Sequence, residues 1–262
     1  MDENFQTYLN RAMRMTLPET YRSQVQNIQE SPKYRLHADK GLEAIPFPGY
    51  TIITPPGNQD DIENQALFAR LTDFQTQLVQ RLGAEIFAPV PASSFHVTLA
   101  DLIWDDAYRH ACFQDADFDQ QLRSRMGEIF QECAPISEGK PIRFQALGLM
   151  VMTRAIAICL APTDEFSYER ILKFRRALYQ NSKLIGLGIE QQYYFTPHVT
   201  LGYFGKVPAA EQRPETAEIF IELNQTWLDS DPLMFDVTRA ELRKFEDMTR
   251  YEREADWATF QF

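Results

Sequence analysis

The chain has 262 residues, 44% of them hydrophobic and 24% charged, which excludes a disordered or fibrous protein and leaves room for two domains or one duplicated, two-lobed domain. A formal net charge of -11 and a pI of about 4.9 argue against a surface that holds long RNA or DNA, since such surfaces cluster Lys and Arg to release counterions; a small anionic ligand in a local pocket stays compatible. Cys112, Cys133 and Cys159 form no Cys-x-x-Cys pair, MDENFQTYLNRAMRM has no apolar signal core, and no stretch nears the roughly 20 apolar residues of a membrane span, so a cytoplasmic protein with free thiols and no membrane partner is expected.

Residues 1–45 read as a preface. Phe5, Tyr8, Leu9, Ala12 and Met13 recur at helical spacing and predict a short amphipathic helix docked on the body. The Pro- and Gly-rich stretch SPKYRLHADKGLEAIPFPGY predicts an extended arm. From Tyr50, YTIITPPG is a β-branched run stopped by Pro55 and Pro56. Asp60, with Glu63 three residues on, predicts the cap of a helix whose stripe is Leu67, Leu71, Phe74, Leu78 and Leu82 and whose end is Gly83. The strand FHVTLADLIW follows.

Phe118, Leu122, Met126, Ile129 and Phe130 predict the next helix, and IRFQALGLMVM a strand after it. The apolar strand AIAICLAPTD is stopped by Pro162, Thr163 or Asp164 starts a helix through EFSYERILKFRRALYQNSKLIG, and YYFTPHVTLGYFGK is again a strand. Ala217, Phe220, Ile221, Trp227 and Leu228 form a last stripe before the strand LMFDVTRAELRKF. Strand, proline, capped helix and motif strand therefore occur twice, with Pro56 40 residues before His96 and Pro162 36 before His198.

Two of the four histidines sit in the same tetrapeptide, His-Val-Thr-Leu, 102 positions apart (198 − 96). Residues i and i+2 of a strand share a face, so His96 and Thr98 point one way while Phe95, Val97 and Leu99 anchor the strand on the other; His198 and Thr200 do likewise. By the same parity Gly202 and Phe204 lie on the polar side, the glycine leaving room beside the pair, and Trp104 matches them in the first copy.

If a pseudo-two-fold axis relates the halves, the pairs meet across a cleft. One imidazole can then be neutral and the other protonated, because their ordinary pKa lies near 6.5. That pair could displace an alkoxide from phosphorus with water, and the threonine hydroxyls could donate to the phosphate oxygens. No metal is required, and neither copy has a second ligand at i+4.

Around the motifs, Tyr203, Phe204 and Trp104 could stack a nucleobase or simply pack the core. Arg154, at a turn, could pair with a phosphate or with solvent. Ser93 and Ser94 read as substrate contacts or turn residues, and His37 and His110 as loop or surface histidines.

Two His-x-Thr motifs in related halves resemble the 2H phosphoesterase superfamily, which includes 2',3'-cyclic phosphodiesterases and RNA 2',5'-ligase-like proteins. The likeness spans residues 46–262, and the arm LHADKGLEAIPFPGYTII is similar to a bacterial branch of unassigned substrate. The resemblance implies an α+β fold, bilobal and duplicated, with two antiparallel sheets flanked by helices around a central cleft. It also implies His96 and His198 as acid-base pair and Thr98 and Thr200 as phosphate ligands.

The approach PASSF lacks a matching aromatic-Pro pair and the preface of residues 1–45 is longer than the smallest members carry, which bears on the pocket more than on the chemistry. The expectation is a metal-independent phosphodiesterase, without cofactor, acting on a small cyclic phosphate or nucleotide-like phosphodiester. A nucleotide-binding module without useful turnover and an RNA-end processing enzyme or ligase are the alternatives; the last would need a basic track at the cleft.

Overall fold

The computed structural model describes residues 3–37, 39 and 41–262. Helices α1 (Phe5–Arg14) and α2 (Pro18–Gln24) precede a hairpin of β1 (Tyr34–His37) and β2 (Gly41–Ala44). Then come β3 (Gly49–Ile53), a short α3 (Gly57–Asp60), the long α4 (Gln65–Leu82), β4 (Phe87–Pro89), β5 (Thr98–Trp104), α5 (Asp105–Gln114), α6 (Phe118–Glu132) and β6 (Ile142–Val151). The second half holds β7 (Ala155–Pro162), α7 (Glu165–Tyr179), a short α8 (Ser182–Ile185), β8 (His198–Phe204), α9 (Arg213–Leu228), β9 (Met234–Val237), β10 (Arg239–Phe245), β11 (Tyr251–Glu252) and β12 (Thr259–Gln261).

The strands build two antiparallel five-stranded sheets, β11-β10-β3-β5 with β12 also on β10, and β4-β8-β7-β6-β9. This is the α+β architecture expected from the sequence. Strand β7 is buried at every position, because its sheet is covered on both faces. The preface supplies part of that cover: the Tyr8 hydroxyl on α1 donates to the Leu160 carbonyl at 3.3 Å, and Tyr21 on α2 to that of Leu149 at 2.6 Å. Each buried hydroxyl is thereby satisfied.

Several boundaries differ from the pattern reading. Helix α4 begins at Gln65 rather than at an Asp60 cap; Asp60 ends α3, and the Asp61 carboxylate accepts from the Asn64 backbone at 3.2 Å and its side chain at 2.7 Å. Asp164 does cap α7, accepting from the Ser167 amide at 2.7 Å, yet α7 stops at Tyr179. The stretch expected to be an extended arm contains the β1–β2 hairpin, while His110 is the surface histidine expected, exposed on α5. The segment read as one strand near Leu233 breaks at Thr238 into β9 of the second sheet and β10 of the first. Met13 and Leu228, assigned to apolar stripes, are about half exposed (52% and 54%).

Two features of this fold aim the motif strands. First, the long helices are exchanged between halves. On α7, Arg175 donates to the Leu99 carbonyl of β5, Tyr179 donates to the Asp101 carbonyl at 2.8 Å, and Phe174 stacks on Phe260 of β12 at 5.0 Å. On α4, Gln75 donates to the Leu201 carbonyl of β8 at 2.7 Å, and Phe74 meets Trp227 edge-on at 5.4 Å.

Second, both motif strands are bulged at equivalent leucines. Ile53 pairs with Thr98 and Ile52 with Ala100, skipping Leu99; Ala157 pairs with Thr200 and Ile156 with Gly202, skipping Leu201. A bulge leaves a carbonyl out of the ladder, and the exchanged helices supply the donors for both.

Candidate active site

The two motifs meet at an antiparallel bridge between Val97 and Val199, the one isolated β-bridge among the described residues. Because the bridge is centred on the two valines, His96 is brought opposite Thr200 and His198 opposite Thr98. Val97, Leu99, Val199 and Leu201 are fully buried, while both histidines and both threonines are partly exposed along a common cleft of about 1080 Å³.

The imidazoles are held alike. His96 Nδ1 lies 2.6 Å from the Ser94 carbonyl oxygen and His198 Nδ1 lies 2.7 Å from that of Thr196. A carbonyl only accepts, so each Nδ1 carries the hydrogen and each Nε2 is left as the reactive nitrogen. Ser94 therefore serves through its backbone, its own hydroxyl donating to Pro91 O at 2.7 Å. The peptide at residues 195–196 is fixed in turn by Arg11 of α1, which donates to Thr196 Oγ1 at 2.7 Å and to Phe195 O at 2.8 Å.

Their surroundings differ. Burial drives the His96 pKa down to about 4, the Ser94 carbonyl opposes this, and the charges of His198, Arg243 and Lys33 push it further down. His198 is also lowered, chiefly by burial, but the Thr196 carbonyl and Asp101 pull it back up while Lys33 opposes them. Asp101 is raised by burial against the pull of Arg175, Lys33 and His198. Burial thus favours the neutral form of both imidazoles, and a carboxyl group acts on only one of them.

Asp101 was not singled out by sequence reasoning, and the bulges explain why. Parity counted from Thr98 assigns Ala100 and Leu102 to its face, yet the skips at Leu99 and Leu102 put Thr98, Asp101 and Trp104 on one side, paired with Ile53, Thr51 and Gly49. In β8 the skip at Leu201 likewise turns Tyr203 toward the cleft and sends Phe204 into the core at 0% exposure, so Phe204 does not line the site. Asp101 and Tyr203 are equivalent positions in the two copies (203 − 101 = 102).

Gly202 does not make room beside the His198 and Thr200 pair, as its parity suggested. A Cβ there would strike the Ala88 carbonyl and the Phe87 ring, so the glycine lets β4 close on β8.

Trp104, Tyr203 and Arg154 do border the cleft, Arg154 also donating to Gln29 Oε1 at 3.0 Å; Ser93 and His37 stand outside it, His37 3.5 Å from Glu43. Two further lining residues carried no sequence signal. Tyr251 of β11 sets its ring edge-on to His96 at 4.3 Å, and Lys33 comes from the preface. Among the described residues no group of three or more His, Cys, Asp or Glu side chains is placed to hold a metal ion, and no helix is long and apolar enough to cross a membrane.

Comparison with known proteins bears on the fold. Residues 38–126 match the family model 2H-phosphodiest, described as a domain of unknown function (DUF1868). No curated protein matches. Among solved structures, a conserved protein of unknown function from Agrobacterium tumefaciens str. C58, ATU0111, shares the fold with a TM-score of 0.57 at 13% identity, over 81% of this chain and 86% of that one. Weaker likenesses are TT0787 of Thermus thermophilus (TM-score 0.42, 14% identity, 81% of this chain and 96% of that one) and E. coli LigT complexed with 3'-AMP (0.41, 13%, 83% and 98%). The likeness to the 2H-phosphodiest family model thus covers about a third of the chain, the part that carries the first His-x-Thr motif.

Proposed function

We propose that the protein is a phosphodiesterase that opens a small cyclic phosphate or nucleotide-like phosphodiester, with His96 as general base and His198 as general acid. The observation that carries the reading is the convergence of two identically tethered imidazoles, each paired with a threonine hydroxyl, across the Val97–Val199 bridge. A cleft of about 1080 Å³ suits a ligand of nucleotide size.

In the reaction His96 Nε2 takes a proton from water as its oxygen bonds to phosphorus. The bond from phosphorus to the leaving ester oxygen breaks, and the Nε2 proton of His198 passes to that oxygen, giving a phosphomonoester and an alcohol. Thr98 and Thr200 donate to the non-bridging oxygens, where negative charge grows.

The assignment of roles follows the environment. Asp101 favours the imidazolium at residue 198, whereas the cationic neighbours of His96 favour its neutral form. An anionic substrate between the rings opposes the effect of burial and charges the more willing of the two. Trp104, Tyr203 and Arg154 are assigned to the remainder of the substrate.

The test is turnover of a panel of 2',3'-cyclic nucleotides in excess EDTA. His96→Ala and His198→Ala should each lower kcat/KM by about 10²- to 10⁴-fold with the fold retained. Unchanged turnover in the verified double variant would sink the reading. A nucleotide-binding module is the second reading, favoured by one observation: burial disfavours the charged form of both imidazoles, and a general acid must carry that extra proton. Tight mononucleotide binding by calorimetry with no turnover across the panel would select it.

A further inference from the structure

The preface does more than cover the second sheet. Its arm is pinned to both sides of the cleft: the Gln29 amide donates to Thr153 O and the Ser31 amide to Phe204 O, each at 2.8 Å, on the second sheet's side, and the Phe47 amide donates to Glu246 O at 2.8 Å beside β10. Between these anchors lies Lys33. Its amide donates to Ser31 Oγ at 3.2 Å, and its carbonyl accepts from the Ile45 amide at 3.0 Å. Tyr34, the next residue, stacks on Tyr203 at 5.5 Å, so the backbone that presents the lysine is fixed on both flanks.

The ammonium group sits 4.8 Å from the centre of the Phe47 ring and 5.0 Å from that of Tyr203, with Nζ 3.5 Å from the Tyr203 hydroxyl. Lys33 forms no ion pair among the described residues, although this chain carries an excess of acids. Its charge is felt by His96, His198 and Asp101 alike. A cation held by two aromatic rings beside two buried imidazoles, with no carboxylate within ion-pair distance among the described residues, is arranged for an incoming anion.

We propose that Lys33, delivered by the N-terminal arm, is a direct ligand of the substrate phosphate and the third component of the phosphate cradle beside Thr98 and Thr200. The inference rests on the phosphodiesterase reading for the identity of the substrate, but the anion site is testable without turnover. Lys33 supplies full positive charge where the threonines supply only hydroxyl dipoles, and its contribution grows as charge develops on the non-bridging oxygens.

The experiment follows inorganic phosphate binding to the full chain by calorimetry and by the ring signals of His96 and His198, in the wild type and in Lys33→Met, Lys33→Gln, Lys33→Arg and Arg35→Met. Arg35 is exposed on β1, and its substitution removes the same charge from the same arm. Loss of a charge-assisted contact should weaken phosphate binding about tenfold or more in Lys33→Met and Lys33→Gln, with Lys33→Arg and Arg35→Met staying within about threefold of wild type. The titration midpoints of both imidazoles should also rise in Lys33→Met, since a nearby cation has been withdrawn; Arg243, which acts on His96, and Asp101, which acts on His198, are unchanged in that variant.

Wild-type phosphate binding that is indifferent to both Lys33→Met and Lys33→Gln overturns the proposal while leaving the phosphodiesterase reading intact. Lys33-dependent phosphate binding without turnover of any cyclic phosphate does the reverse. A wild type that binds no phosphate refutes the proposed site.

Discussion

Val97 and Val199 face each other in a single antiparallel bridge, and that contact joins the two sheets at the centre of the cleft. Both side chains are fully buried, so the face that seals the junction is apolar while the opposite face of each strand presents His and Thr. The approach of two imidazoles is therefore a consequence of core packing on the other side of the same strands.

The depressed His96 pKa ties stability to pH. Between about 4 and 6.5 the unfolded chain binds a proton at this residue that the folded chain refuses, so this contribution is complete above pH 6.5 and is lost as pH falls toward 4. Asp61, raised by burial to about 6, acts in the opposite sense, and a difference between variants removes its effect. Urea unfolding of wild type and His96→Gln at pH 7.5 and 4.5 should show the wild type losing on the order of 1–3 kcal/mol more than the variant; parallel losses would contradict a buried neutral imidazole.

Asp101→Asn withdraws the carboxyl group that raises His198. The general acid must be protonated to work, so its pKa sets the alkaline limb of the kcat profile. That limb should move to lower pH, and kcat at pH 7 should fall by about tenfold or more. A profile superimposable on wild type would show that Asp101 does not act through His198.

The exchanged helices make an energetic prediction at the bulges. Arg175→Met leaves the Leu99 carbonyl without its side-chain donor, and Gln75→Leu leaves that of Leu201 with only the Val90 amide at 3.0 Å. Each should cost about 1–3 kcal/mol in chemical denaturation, the larger loss falling on Arg175→Met. Losses below about 0.5 kcal/mol in both would mean that water replaces these donors freely.

Two glycine substitutions should differ in sign. Gly202→Ala drives a methyl into the Ala88 carbonyl and the Phe87 ring and should destabilise by about 1–3 kcal/mol as β4 is pushed from β8. Gly127→Ala, inside α6 with nothing within 4 Å of the new methyl, should stabilise by about 0.5–1 kcal/mol. Thermal unfolding of the two variants against wild type reads both.

The sequence by itself determined a mix of strands and helices, the repeated unit and the four motif residues, because alternation along a strand and repetition along the chain are local properties; the α+β class came from the resemblance those motifs carry. His96 with Thr98 and His198 with Thr200 needed nothing beyond the i, i+2 rule to share a face. Only the tertiary structure decided what lies beyond them. A one-residue bulge reverses every later side chain, so Asp101 and Tyr203 reach the cleft while Phe204 turns inward, and a bulge is specified by pairing partners distant in the chain. Lys33 and Tyr251 arrive from opposite ends of the sequence, at positions where no local periodicity marks them. What brings them to the imidazoles is where an arm and a terminal strand dock, and docking is settled by burial summed over the whole molecule.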